Sequence, residues 1–134
     1  MRILALLALF LIGSATVASA AEDVTAGQSV IRAQEEALSR DDAATAYTFA
    51  SPGIQRRFHD PETFLSMVRN GYTPVYRHRS FEFGEAKASD GAILQEVHII
   101  DANGLAWEAL YTLETQPDGS LKISGCVLTK AVIS

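Results

Sequence analysis

Residues 81–128 read FEFGEAKASDGAILQEVHIIDANGLAWEALYTLETQPDGSLKISGCVL, and this stretch decides the fold. Apolar and polar side chains alternate along it with a period of two, as in strands that bury one face. Three turn signals divide it into four strands: Ser89-Asp90-Gly91, Ala102-Asn103-Gly104 and Pro117-Asp118-Gly119. Each fits a three-residue hairpin loop, a type I turn with Gly in the left-handed third position. Such a loop pairs odd residues with odd residues across the turn. The odd face then carries Phe81, Phe83, Gln95, Val97, Ile99, Leu105, Trp107, Ala109, Tyr111, Leu113, Leu121, Ile123, Gly125 and Val127, and is almost wholly apolar. The even face carries Glu82, Leu94, Glu96, His98, Ile100, Glu108, Leu110, Thr112, Glu114, Lys122, Ser124, Cys126 and Leu128. The pattern predicts a four-stranded antiparallel meander with its odd face on the core.

Upstream, the period becomes helical. From Asp23 to Ser39 the apolar positions Val24, Val30, Ile31, Ala33, Ala37 and Leu38 recur at helical spacing. Asp41-Asp42 offers a cap for a short second helix through Ala50, which Ser51-Pro52-Gly53 stops. Ile54–Phe58 is short enough for a single turn. Asp60-Pro61-Glu62 combines an N-cap, a proline at the first helical position and an acid in the first turn. The helix it starts carries Phe64, Leu65, Met67 and Val68 and is expected to end at Asn70-Gly71 with Gly71 in a left-handed cap. Strand periodicity begins at Val75. The fold class is therefore α+β: N-terminal helices packed on a curved four-stranded antiparallel meander sheet.

Residues 1–20 read as a secretory signal peptide. Met1-Arg2 is a short positive start, Ile3–Ile12 an unbroken apolar run, and Ala18-Ser19-Ala20 an A-x-A cleavage site, with cleavage after Ala20 or Ala21. The apolar run is about half of the ~20 residues a membrane span needs. No cysteine lies near the site to take a lipid, so no stable membrane anchor is expected after cleavage. Residues 21–134 form a single domain, long enough to bury roughly two thirds of its unfolded surface. Removing residues 1–20 takes away Arg2 and no acid, moving the net charge from −5 to −6. An acidic domain without a Lys/Arg cluster argues against nucleic acid or anionic membrane as partner. Cys126 is the only cysteine, so the domain has no internal disulfide and depends on its core. The expected location is periplasmic or secreted.

Helices followed by a curved antiparallel sheet resemble the cone-shaped, cystatin-like fold of the nuclear-transport-factor-2-like superfamily. The wording of Asp42–Ile54, Met67–Arg77, Ala109–Glu114 and Pro117–Cys126 resembles, more specifically, a family of small exported bacterial proteins termed domain of unknown function 4864. The resemblance covers nearly all of residues 21–134. Leu121 departs from it, standing where a Trp is expected. It implies the cone-shaped fold and a periplasmic setting, and implies no activity, catalytic residue or cofactor.

The register places candidate site residues in rows. On the odd face Glu85, Gln95, Tyr111 and Gly125 form a row of three polar groups and a missing side chain, with Trp107 one row away. Convergent polar groups in an apolar cup are the makings of a small-molecule site. The competing expectation is that Gln95 and Tyr111 satisfy each other while Gly125 permits a bend. On the even face Glu82, His98 and Glu108 form a second row. A divalent metal or a proton relay would suit it; a solvated charge row is the plainer expectation. Leu94, Ile100, Leu110, Cys126 and Leu128 on that face suggest a homodimer surface, or simply scattered surface hydrophobics. Arg56-Arg57-Phe58-His59 could hold an anion at the mouth of the cup or be exposed charge beside the Asp60 cap.

No nucleophile elbow, zinc-protease, C-x-x-C, phosphate-loop or dinucleotide motif is present. No cofactor or bound metal is expected. Two functions remain open: a non-catalytic module that binds a small apolar ligand or a periplasmic protein, and a small isomerase or hydratase with Tyr111 and Glu85 as acid and base. The second needs Glu85 inside the cup.

Overall fold

The protein is described by a computed structural model over residues 14–132. The chain runs α1 (Ser14–Ser39), α2 (Ala43–Thr48), α3 (Pro52–Arg57), α4 (Pro61–Gly71), α5 (Thr73–Tyr76), then β1 (His78–Ser89), β2 (Ala92–Asp101), β3 (Ala106–Thr115) and β4 (Leu121–Lys130). The four strands form one antiparallel sheet in the order β1-β2-β3-β4, the meander the alternation predicts. Met1-Arg2 and Ile3–Ile12 of the expected signal peptide lie outside the described residues. Ala18-Ser19-Ala20 falls within α1, which starts well before Asp23. Among the described residues no helix is long and apolar enough to cross a membrane.

Helix α1 lies on the inner sheet face along the stripe Gly27, Ile31, Gln34, Ala37 and Leu38, all buried. Gly27 brings it close: a Cβ there would sit 3.2 Å from Ile93 Cδ1. Residue 41 ends the helix in the left-handed region (φ 57°), with Asp41 N–H donating to Leu38 O and Asp42 N–H to Ala37 O. Asp42 then caps α2, accepting from Thr45 N–H at 3.1 Å. Ser51 caps α3 and Asp60 caps α4, each with proline in the first turn behind it. Phe64, Leu65 and Val68 of α4, Val75 of α5, and Phe81, Ile93, Val97, Ile99, Ala109, Tyr111, Leu113 and Ile123 of the sheet close the core.

The structure corrects five local expectations. The first hairpin has a two-residue loop, because Ser89 pairs with Ala92 and both Asp90 (φ 49°) and Gly91 (φ 78°) are left-handed. This is the type I′ geometry that Asp-Gly favours. The residue missing from the loop reappears as a bulge between Phe83 and Ala86, so Phe83↔Val97, Glu82↔His98 and Phe81↔Ile99 pair as the longer loop would have paired them. The other two loops are three residues long, with Gly104 (φ 84°) and Gly119 (φ 87°) left-handed. On β4, a second bulge at Ser124 separates Leu113↔Ile123 from Thr112↔Gly125. One inserted residue exchanges the faces beyond it. Cys126 therefore pairs with Tyr111 on the inner side, while Val127 pairs with Leu110 and is 61% exposed.

Gly71 closes α4 without a left-handed cap, since Tyr72 N–H makes an ordinary bond to Val68 O and α5 follows at once. The extended run begins at His78 instead of Val75, because Thr73-Pro74 starts a helical turn. Ser51-Pro52-Gly53 starts α3 as well as ending α2. Finally, the segment after α2 joins the sheet edge. Ile123 N–H donates to Phe49 O and Ser51 N–H to Ile123 O, both at 2.8 Å. This ties the start of α3 to β4 beside the second bulge.

Candidate functional site

A cavity of about 430 Å³ lies between the helices and the β4 half of the sheet. That is in the lower half of the roughly 300–1,000 Å³ range of small-molecule sites. Phe64, Met67 and Val68 of α4 form one wall, Ile54 and Phe58 another, and Tyr111 and Ile123 the floor. Leu38 and Val75 also line it, and Tyr72 lines it beside Cys126. The mouth opens along Ser124, Gly125, Cys126 and Val127, where the β4 bulge turns the strand. Arg57, at the end of α3, is the one charged residue of the lining.

The geometry of the walls is fixed by hydrogen bonds that leave the interior apolar. The Tyr47 hydroxyl lies 2.6 Å from Phe58 O and 3.1 Å from Gln55 O, and Gln55 Nε2 donates back to Tyr47 O at 2.9 Å. These bonds pin the last turn of α3. The rings of Tyr47, Phe58 and Phe64 meet edge to face. The Tyr72 hydroxyl donates to Cys126 O at 3.1 Å, joining α4 and α5 to β4. Gln34 Nε2 donates to Ala46 O, and Ser124 Oγ to Thr112 O, each at 3.2 Å. Burial pushes the Tyr111 hydroxyl well above its ordinary value. Burial also pushes the neighbouring Cys126 thiol up to about 12, although Tyr111 acts in the opposite direction. Both groups are neutral near pH 7, so the floor carries no charge.

The structure brings only part of the predicted row together. Tyr111 and Gly125 line the cavity. Gln95 pairs with Tyr111 in register but is fully buried, its amide directed to α1 and the β1 bulge. Its Nε2 lies 3.1 Å from Gly84 O, 3.3 Å from Glu85 O and 2.7 Å from Glu96 O, while its Oε1 accepts from Gln28 Nε2 at 3.0 Å. Gln95 thus holds the β1 bulge; its partners are Gln28 and backbone carbonyls, not Tyr111. Glu85 sits in that bulge and is exposed, since the bulge turns it off the inner face. The Tyr111–Glu85 acid–base pair is not assembled. Trp107 lies at the other end of the sheet, with Nε1–H donating to Asp101 Oδ2 at 2.9 Å and Lys130 Nζ 5.8 Å from the ring centroid.

On the outer face Glu82, His98 and Glu108 do align, and His98 Nδ1 lies 3.6 Å from Glu108 Oε1 with both side chains more than half exposed. Among the described residues no three His, Cys, Asp or Glu converge as metal ligands. Exposed Leu94 and Leu110 share this face with Val127; Cys126 and Leu128, expected here, are turned inward by the bulge.

One polar cluster has no precursor in the sequence pattern. His78 Nε2 lies 2.9 Å from Glu35 Oε2, and His78 Nδ1 lies 2.9 Å from Pro74 O. Arg32 completes it, donating to Glu35 Oε1 at 2.8 Å and to Phe81 O at 3.2 Å. Both ring nitrogens of His78 face acceptors, an arrangement that the protonated ring, with two N–H donors, satisfies in full. The hydrogen bond that His78 donates to Glu35 raises the His78 pKa against the opposing effect of burial. Burial pushes Glu35 up, but hydrogen bonds from His78 and Arg32 outweigh it and leave its carboxyl below the usual value. The cluster clamps α1 to α5 and to the start of β1. Its residues come from positions 43 apart in the chain, a distance no periodicity reports.

A family model described as a domain of unknown function (DUF4864) matches residues 20–133. No curated protein matches the chain, and neither does any solved structure.

Proposed function

This chain belongs to the DUF4864 family, and from that premise we propose that it is an exported module that binds a small apolar ligand in the cavity beneath α4. The observation that carries the proposal is the cavity itself: about 430 Å³, walled by aliphatic and aromatic side chains, with no carboxylate in its lining. Water inside such a space has few hydrogen-bond partners, because Tyr72, Gln34 and Ser124 are already committed to backbone carbonyls. An apolar ligand replaces poorly bound water and gains dispersion contacts with Phe64, Met67 and Val68. The helices-then-meander order is also that of the nuclear-transport-factor-2-like cone, which supports a ligand-holding role. Export is supported by Met1-Arg2, Ile3–Ile12 and Ala18-Ser19-Ala20. The periplasm or the medium is then the working compartment.

The test is a thermal-shift series with neutral apolar probes, such as decanol, on wild type and on two variants that fill the space, Cys126→Phe and Met67→Trp. The wild type is expected to gain melting temperature with probe. Each variant that retains its fold is expected to lose that gain. Equal gains in wild type and both variants would place binding elsewhere and refute the proposal.

A further inference from the structure

We propose that the ligand is a single-chain anionic amphiphile, its tail in the cavity and its head group on Arg57 and Arg56. This rests on the ligand-binding role proposed above and specifies its chemistry. The apolar cavity does not end blindly. It shares Ile54, Arg57, Ser124 and Gly125 with a polar surface cleft that adds Arg56 and Gln116. An apolar chamber opening through a common rim into a cationic cleft has the layout of a site for a tail and a head.

The two arginines also stand side by side without an ion pair, a state they share with Arg69, Arg79, Lys87, Lys122 and Lys130 among the described residues. Arg32 pairs with Glu35, Arg40 with Asp42 and Arg77 with Asp41. Among the described residues neither Arg56 nor Arg57 forms an ion pair, and the Arg57 guanidinium lies over the Phe58 ring, 5.8 Å from its centroid. In a chain of net charge −5, two unpaired guanidinium groups at one rim form a local positive site against an acidic background. Their planar donor forks suit a carboxylate or phosphate monoester. That cleft also holds one carboxylate, Glu114, whose register partner Lys122 donates to Thr48 O at 2.7 Å. The backbone at the rim is held by the Tyr47 bonds to Gln55 and Phe58, so the arginines project from a fixed turn. A cavity of about 430 Å³ accommodates one acyl chain and not the paired chains of a bilayer phospholipid.

The experiment measures affinity by isothermal titration for three probes that share a tail, decanoate, decanol and decyltrimethylammonium, on wild type and on Arg56→Gln/Arg57→Gln. Wild type is expected to bind decanoate about tenfold more tightly than decanol, the order of one charge-assisted contact at a partly solvated rim. The double variant is expected to lose that tenfold while keeping its decanol affinity. Equal affinities for decanoate and decanol, unchanged in the variant, overturn the head-group assignment and leave the apolar cavity site standing. Preference for decyltrimethylammonium overturns it as well. Failure of all three probes overturns both the assignment and the cavity site. Sedimentation with phosphatidylglycerol vesicles separates the other source of an anionic head: binding to vesicles without binding of decanoate overturns the single-chain assignment.

Discussion

Replacing Glu35 by Gln should lower stability most between about pH 4.5 and 6.5, and the loss should shrink as pH rises. In the folded protein the His78 imidazolium donates to Glu35 Oε2 and to Pro74 O, each at 2.9 Å, with Arg32 on the other carboxylate oxygen. The side chains of His78 and Glu35 are 14% and 11% exposed, so solvent screens the pair only in part. His78 has its pKa raised above 6.5, the Glu35 hydrogen bond being the main cause. Its contribution is complete below 6.5 and is lost as pH climbs through the raised folded value. Glu35 has its pKa lowered below 4.5, because the His78 and Arg32 bonds outweigh burial. Its contribution is complete above 4.5 and is lost as pH falls through the lowered folded value. Both are complete only between those limits. A hydrogen bond to a charged partner contributes roughly 1.5–3 kcal/mol, so Glu35→Gln should cost about 2 kcal/mol near pH 6. For a domain of this size that is a fall of about 8 °C in melting temperature. Urea denaturation from pH 5 to about pH 9, on wild type and variant, reads both the loss and its pH slope. A variant as stable as wild type near pH 6, or an identical slope in the two proteins, would refute the clamp.

Two further outcomes follow from the same geometry. Gln95→Leu removes the donor shared by Gly84 O, Glu85 O and Glu96 O and the acceptor of Gln28 Nε2, at a fully buried position. Chemical denaturation should show a loss of about 3 kcal/mol, the scale of leaving buried polar groups unpaired; a near-neutral result would mean that the bulge satisfies itself. Cys126, with its thiol pushed up to about 12 by burial, should resist iodoacetamide in the native state near pH 8 and react when urea unfolds the protein. Native labelling as fast as that of a free thiol would show that Cys126 does not face inward.

The strand half was readable because side chains alternate whether or not the loops are assigned correctly. The first loop shows this. A two-residue Asp90-Gly91 turn plus a bulge at Gly84-Glu85 leaves Phe81 and Phe83 opposite Ile99 and Val97, just as a three-residue loop would. The Ser124 bulge has no such compensation, and it moves Cys126 and Val127 to the opposite faces from those the alternation implies. Bulges come from tertiary demands, here the pairing of Ile123 with Phe49 and Ser51, and leave little mark on composition. In α1, the apolar count passes over Gly27 and Gln34, which are buried for close packing and for a bond to Ala46 O. At Thr73-Pro74, proline served as a first-turn helix residue and not as the start of an extended run. Of the predicted site, Tyr111 and Gly125 reach the cavity; the α4 wall and the Arg57 rim are assembled by helix packing, which a strand register does not report.

The central claim is that the space beneath α4 holds a ligand. A ¹H–¹⁵N correlation titration of the protein with decanoate tests it residue by residue. Saturable shifts should concentrate on Phe64, Met67, Val68, Tyr72 and Cys126 of the cavity and on Arg57 at its rim. Shifts confined to Leu94, His98 and Leu110 on the outer face, or no saturable shift at all, would contradict it.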